Sequence, residues 1–446
     1  MNPLLRPALR LLPLSLTAAF GALPVHAQNL LELYEAARGY DAAYQSARAQ
    51  TDVARHRAEQ ARAALLPTAS LSSSRSQSQL DSRTATAISD RGYGTLSTTL
   101  SASQPLYRPA NQITFDQGQR QAEVAQAQLT TASQDLIIRV SQAYFDVLAA
   151  QDTLTFVRAQ KVAVSEQLAS AKRNFEVGTT TITDTREAQA RFDLVQAQEI
   201  SAENDLRVRK LALDNVTGRT DAKPHPLAVP LALAAPQPPD VNAWVQQGDE
   251  VSPAIQQARL SLDVARMETT KAKAGHLPTV DLSASRSYGR NMGGSSSLSS
   301  DSRSTITQVG VTLNVPLFAG YATQNRIRET LSLEEKAQAD LETARRTVAQ
   351  ATRTAYFGLV SGAGQVRALE AAEASSQSAL DANRLGYQVG VRINIDVLNA
   401  QSQLFQTKRD LAGARYNVLL GQLKLRQANG SLKPDDVGLI NGLLAR

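Results

Sequence analysis

Side chains able to do chemistry are sparse and scattered in this chain. The four histidines stand at positions 26, 56, 225 and 276, and there is no cysteine. No phosphate-cradling glycine loop, metal-spaced cluster or nucleophile–base pair can be assembled from its motifs. An enzyme is not expected, and neither is a cofactor or a metal centre. The charged residues with telling positions are Asp184 and Asp396. Each closes a stretch built on a Val-Gly pair, residues 175–184 (FEVGTTTITD) and 387–396 (YQVGVRINID). A carboxylate at that place has an ordinary task, the capping of a helix. Glu187, three residues beyond Asp184, completes a capping-box spacing. A second task at the same residues is compatible with the first.

The elements that must position these turns follow from their surroundings. The two stretches begin 212 positions apart (387 − 175). At that same offset Ala143-Tyr144-Phe145 matches Ala355-Tyr356-Phe357, Ala188-Gln189 matches Ala400-Gln401, and Gly218 matches Gly430. An ungapped register of this kind is an internal duplication. Each half reads as a long helical hairpin with Gly178 or Gly390 at its tip. In the first half Leu136, Val140, Ala143, Val147, Ala150, Leu154, Val157, Lys161, Val164, Leu168, Ala171 and Phe175 are spaced by alternating fours and threes. That period is the seam of a left-handed coiled coil, with Lys161 its one polar interruption. Lys161 and its repeat counterpart Glu373 are placed to pair between coils. At about 1.5 Å per residue, a helix over 110–176 is roughly 100 Å long. Helices over 30–64 and 185–217 are each roughly 50 Å, so two short helices can flank a long one end to end.

Between helices the pattern changes to period two. Val309, Val311, Leu313, Val315 and Leu317 alternate with small or polar residues, and Val280, Leu282 and Ala284 do likewise. Strands are expected over about 68–79, 94–106, 279–288 and 305–317, with polar loops at 81–92 and 289–304. Leu66-Pro67-Thr68 recurs as Leu277-Pro278-Thr279, and Pro105-Leu106-Tyr107 as Pro316-Leu317-Phe318. The chain therefore divides into a first repeat at 28–219, a proline-rich equatorial linker at 220–252, a second repeat at 253–430 and a tail at 431–446.

Residues 1–27 have the form of a cleaved secretory signal: Arg6 and Arg10, an apolar run from Leu11 to Leu23, and Val25-His26-Ala27. Its loss lowers the formal charge from +6 to +4 (6 − 2), with no basic block to recruit nucleic acid. No later run reaches the roughly 18 apolar residues of a membrane helix. If the mature chain spans a membrane, it does so with strands. Four strands cannot close a spanning barrel, which needs about eight, so several copies must contribute. Tyr93, Tyr107, Tyr288, Phe318 and Tyr321 stand near strand ends, where an interfacial aromatic belt belongs.

The signal, the paired Leu-Pro and Pro-Leu-aromatic boundaries, the Val-Gly turns and the sequence DVLNAQ at 396–401 resemble the TolC family of outer-membrane channel-tunnels. The resemblance runs through the whole mature chain. It implies an α+β membrane protein: a homotrimer sharing a twelve-stranded β-barrel in outer-membrane lipid, four strands from each copy, above a periplasmic coiled-coil tunnel of about 100 Å. It implies a passive exit duct for type I secretion or multidrug efflux, working with a periplasmic adaptor and an inner-membrane ABC or proton-driven pump. It also implies a periplasmic gate at Gln167, Asp184, Tyr387, Arg392 and Arg415, with Arg392 and Tyr387 bonded to Asp184 and Arg415 restraining a neighbouring hairpin. Asp396 and Asn399 fall at the pore constriction, Asn399 where the family's best-known members carry a second aspartate. The competing reading is a periplasmic coiled-coil protein that never enters a membrane; the alternating strands oppose it.

Overall fold

The computed structural model describes residues 29–84, 87–228, 235–295 and 300–444. The signal-like segment at 1–27 lies outside the described residues. Helices α1 (Leu30–Tyr40) and α2 (Ala42–Ala63) precede strands β1 (Thr68–Thr84) and β2 (Ala87–Tyr107). Helix α3 (Pro109–Glu176) runs 68 residues, about 100 Å, and α4 (Ile182–Thr217) returns along it. The second half repeats this order: α5 (Val241–Val251), α6 (Pro253–Ala274), β3 (Thr279–Met292), β4 (Ser302–Asn314), α7 (Ala322–Gln388) and α8 (Asn394–Ala428). A short helix α9 (Pro434–Asn441) ends the fold.

The duplication reaches further back than its sequence signature. Helix α5 occupies part of the stretch expected to be linker, and it matches α1 as α6 matches α2. The single helix expected over 30–64 is broken at Asp41, whose backbone is extended (φ −60°, ψ 118°). The Asp41 carboxylate accepts the Tyr44 N–H at 2.7 Å and so starts α2, and it also holds Arg139 of α3 at 2.7 Å. An aspartate that caps a new helix competes with continuation of the old one.

The coiled-coil seam is where the spacing places it. Of its twelve members, all but Ala143, Lys161 and Phe175 are buried. Its lower part joins Leu30, Leu33, Leu419, Leu423, Val437 and Ile440 in one core that ties α1, α3, α8 and α9 together. Its upper part, Val157, Val164, Leu168 and Ala171, packs on Ala188 and Val195 of α4 and on Leu398 of α8. Lys161 does not pair with Glu373. Its ammonium meets Glu199 of α4 at 2.7 Å, and Glu373 lies 3.9 Å from Lys408. Each lysine is satisfied inside its own hairpin because the return helix presents a carboxylate nearer than the other repeat does.

The four strands form one antiparallel sheet in the order β1-β2-β3-β4. Its strands outrun their expected ends at the far side: Thr84 pairs with Ala87, so the region expected as a polar loop is a continued ladder. Hydroxyl pairs tie β1 to β2 on both faces of the sheet, as in Ser70–Ser101 (2.8 Å) and Ser73–Thr98 (3.0 Å). β4 ends at Asn314, short of the expected 317, ahead of Pro316, which has no N–H to donate. The register separates two faces. One carries Ser70, Ser101, Ser285 and Gln308 in a transverse row, with Thr68, Ser103, Ser283 and Gly310 in another. The other carries Ala69, Ala102, Ala284 and Val309 in a row, flanked by Leu282 with Val311 and by a row of Leu71, Leu100, Arg286 and Thr307. Tyr107, Tyr288, Phe318 and Tyr321 are exposed, and Phe318 meets Tyr321 edge to face at 5.6 Å. Tyr93 departs from the expected belt: it pairs with Ser78 on the hydroxyl face. A bidentate bond from Arg108 to Asp281, both arms at 2.7 Å, fixes the start of α3 to the sheet.

Candidate functional site

The two hairpin tips are built alike. In the first, the Gly178 N–H bonds Phe175 O and the Thr179 N–H bonds Asn174 O. In the second, the Gly390 N–H bonds Tyr387 O and the Val391 N–H bonds Gly386 O. These are the paired bonds of a Schellman motif, and they require a left-handed residue, supplied by Gly178 (φ 78°) and Gly390 (φ 80°). Val177, Val389 and Val391 stand exposed on the tips.

The caps differ. Thr181, rather than Asp184, is the N-cap of α4. Asp184 is its third residue, accepting from the Thr181 N–H at 3.1 Å and hydroxyl at 3.0 Å, while the Thr181 hydroxyl accepts the Asp184 N–H at 3.3 Å. The capping box therefore sits three residues earlier than the Asp184–Glu187 spacing indicated, because Thr181 offers a competing side-chain oxygen. In the second tip Ile393 caps α8 without a side-chain bond, and Asp396 sits in the positive first turn.

Among the described residues, neither Tyr387 nor Arg392 is bonded to Asp184 within the chain. Arg392 lies 3.8 Å from Asp396, and both are substantially exposed. The Tyr387 hydroxyl receives a long bond from Asn174 at 3.5 Å. Arg415 pairs with Glu370 of α7, its own hairpin partner, at 2.9 Å. Arg392, Asp396 and Asn399 share an open groove of about 620 Å³ with Ser376, Asn383 and Gln403.

What joins the two hairpins is a residue that the sequence did not single out. Asn394 is almost fully buried at the start of α8. Its carbonyl accepts from the Gln167 amide, and its own amide donates to the Asp184 backbone carbonyl at 3.3 Å. A second bridge runs from Arg191 to Asn399 at 2.9 Å. Both bridges link positions more than two hundred residues apart, so no local spacing announces them. Between Val391 and Val397, Asn394 looks like one more polar turn residue. Among the described residues no group of histidine, aspartate or glutamate is placed to hold a metal ion, and no helix is long and apolar enough to cross a membrane.

The described chain is thus two long hairpins bridged at their tips, set on a two-faced sheet. The same duplication decides the kinship: the profile of the family described as "Outer membrane efflux protein" matches residues 33–219 and 244–431, one hairpin half in each. The chain belongs to this family. It is 36% identical over 434 residues to the outer membrane protein TolC of Vibrio cholerae, covering 97% of this chain and 98% of that one. It is 33% identical to the alkaline protease secretion protein AprF of Pseudomonas aeruginosa, covering 93% and 87%. Among solved structures, the outer membrane protein VceC of Vibrio cholerae superposes with a TM-score of 0.75 at 20% identity, covering 90% of this chain and 96% of that one. CusC, whose structure concerns transmembrane channel formation, superposes at 0.76 with 19% identity, covering 91% and 92%. The family members thus share the fold seen here, a channel-tunnel subunit of the outer membrane.

Proposed function

We propose that this protein is the outer-membrane exit duct of a tripartite system, a passive channel that conducts cargo received from an adaptor and an inner-membrane pump. The observation that carries this reading is the two-faced sheet set on helices of about 100 Å. A sheet with a hydroxyl face, an apolar face and two open edges is incomplete alone. Three copies give twelve strands (3 × 4), an apolar outer band and a lumen lined with serine and threonine. The α3–α4 and α7–α8 hairpins then continue that lumen into the periplasm, and residues 1–27 serve as the export signal. AprF is named for secretion of a protease, which favours protein cargo and an ABC-type pump over drug efflux.

The hairpin tips form the gate in this reading. Gln167, through Asn394, ties the two hairpins of one copy. Arg392, whose ion pair among the described residues is an exposed 3.8 Å contact with Asp396, is free to reach a carboxylate such as Asp184 on the next copy. Tyr387 adds side-chain restraint at the tips, while Arg415, about 30 Å along α8 from its start and paired with Glu370, restrains the hairpins at that higher level. An exposed ion pair contributes about 1 kcal/mol or less, so three symmetry copies bias closed over open by roughly 100-fold at most. Docking of a partner overcomes a bias of that size. Asp396 supplies one carboxylate per copy at the constriction and Asn399 none, so multivalent cations block the pore weakly.

Planar-bilayer recording tests this. The wild-type protein gives small, stable conductance steps, and the combination Arg392→Ser with Asp184→Ala enlarges them several-fold. Unchanged steps reject the gate assignment, and no steps from either protein reject the duct.

A further inference from the structure

The apolar face of the sheet does not stay apolar to its end. Arg75 is paired with Leu96, Leu96 with Arg290, and Arg290 with Arg303, so one transverse row across all four strands carries three arginines. Directly paired residues of antiparallel strands share a face, and here it is the face of Leu71, Leu100, Leu282 and Val311, which also carries Arg286 opposite Leu100. Arg290 and Arg303 stand directly opposite each other. Like charges so placed are destabilising, with side-chain bases about 5 Å apart. None of Arg75, Arg290 and Arg303 has a hydrogen bond or ion pair among the described residues. Arg75 and Arg303 are exposed and Arg290 is half-buried. The only carboxylates on this face of the four strands, among the described residues, are Asp81 and Asp90, paired with each other. They lie six residues past Arg75, about 20 Å along the strand.

Height on the barrel gives the row its meaning. From Val280, at the helical end, ten residues of β3 lead to Arg290. That is about 34 Å along a strand and about 26 Å along the axis at a 40° tilt. The apolar band of a spanning barrel is about 25 Å tall. The arginine row therefore stands at the upper edge of the band, in the leaflet remote from the helices, and Arg286, four residues nearer the helices on the same face, lies about 10 Å below it. Just beneath it runs a row of Ser73, Thr98, Tyr288 and Thr305, an aromatic and hydroxyl belt at interface depth. Arginine costs little at that depth, and its planar fork matches phosphate oxygens.

We infer that the Arg75–Arg290–Arg303 row is a binding surface for phosphorylated lipid headgroups of the external leaflet, with Arg290 and Arg303 sharing one phosphate. The proposal rests on the duct reading above, which sets this face against lipid. An anion seated between Arg290 and Arg303 turns an unfavourable like-charge pair into two charge-assisted contacts. In the closed barrel the row recurs once per copy, so the channel wears a cationic collar that fixes its depth and recruits phosphorylated lipid around it.

The full-length trimer in detergent is titrated with bisphosphorylated lipid A, with dephosphorylated lipid A and with inorganic phosphate, and lipid binding is read by native mass spectrometry. The wild-type protein retains the bisphosphorylated form preferentially, and rising salt weakens that preference. Arg290→Gln with Arg303→Gln lowers its affinity roughly 30-fold, about fivefold per charge, while Arg→Lys at both positions keeps most of it. Dephosphorylated lipid A binds weakly and equally to all of them. Equal binding of the two lipids by the wild-type protein overturns the proposal even where the glutamine variant fails to assemble. So does an unchanged affinity in an assembled variant, and so does displacement by inorganic phosphate, which marks a free-anion site. Trimer mobility and conductance are read on the same samples. A conducting trimer that ignores the phosphate overturns this inference alone, whereas absence of a conducting trimer overturns the duct reading and this inference together.

Discussion

Asp152 shows how one half-buried side chain couples stability to pH. It lies on α3 and accepts the Tyr416 hydroxyl of α8 at 2.6 Å. Burial pushes its carboxyl above the ordinary carboxylate value of 3.8, and the Tyr416 bond only partly opposes this. Burial, together with the negative partner, also pushes the Tyr416 hydroxyl up. A raised carboxyl value means that the folded state holds the proton more tightly than the unfolded chain. Its contribution is thus full below the unfolded value and is lost as pH rises through the folded one. Asp152→Asn keeps an acceptor for Tyr416 without the charge. We expect the variant to melt above the wild-type protein at neutral pH, with the gap closing as pH falls towards 3.8. A gap that does not change with pH would show that the charge of Asp152 is not what burial penalises. Nothing in the heptad pattern marks Asp152, since its cost arises from burial in the folded chain, which the Tyr416 bond from another helix only partly offsets.

At the scale of elements, the paired glycines of the two repeats have unequal surroundings. Gly390 ends α7 with φ 80° in open space, so an alanine there meets only the left-handed strain. Gly430, just past α8, has φ 82°, and an added Cβ would lie 2.5 Å from Ser252 Cα and 2.7 Å from Pro253 Cδ. It docks the end of α8 against the junction of α5 and α6. Gly390→Ala therefore costs about 1–2 kcal/mol, and Gly430→Ala costs more, on the order of 3–5 kcal/mol once overpacking adds to the strain. Thermal unfolding followed by circular dichroism separates them, and equal losses would refute the docking role of Gly430. The sequence made both glycines visible as repeat partners. It could not rank them, because Ser252 approaches Gly430 only in the folded chain.

The whole molecule is legible in outline because its organising forces are periodic. A heptad seam over α3, period-two strands and a duplicated Val-Gly turn are local patterns, and they led to long hairpins, a four-stranded sheet and a barrel that needs several copies. The family match supports that assembly. Outer-membrane fractions run without boiling should yield a trimer-sized species that collapses to the monomer on heating. A monomer before and after heating, recovered from the soluble periplasmic fraction, would sink the barrel. The boundaries were less legible: β1 and β2 run on into their hairpin, and α5 lies in what reads as linker. These three elements are stabilised by ladder or packing partners rather than by strong intrinsic propensity.

By itself the sequence determined the repeat, the lengths of the long hairpin helices, the turn glycines and the alternation that gives the sheet its two faces. Apart from the repeat, which is a match between distant segments, each of these is set by neighbours within a few residues, through backbone conformation and burial period. Only the tertiary structure decided who meets whom: Lys161 with Glu199 rather than Glu373, Asn394 as the bridge between hairpins, and Arg290 opposite Arg303. Those pairings depend on the rotation of packed helices and the register of paired strands, and a shift of one residue would exchange every partner.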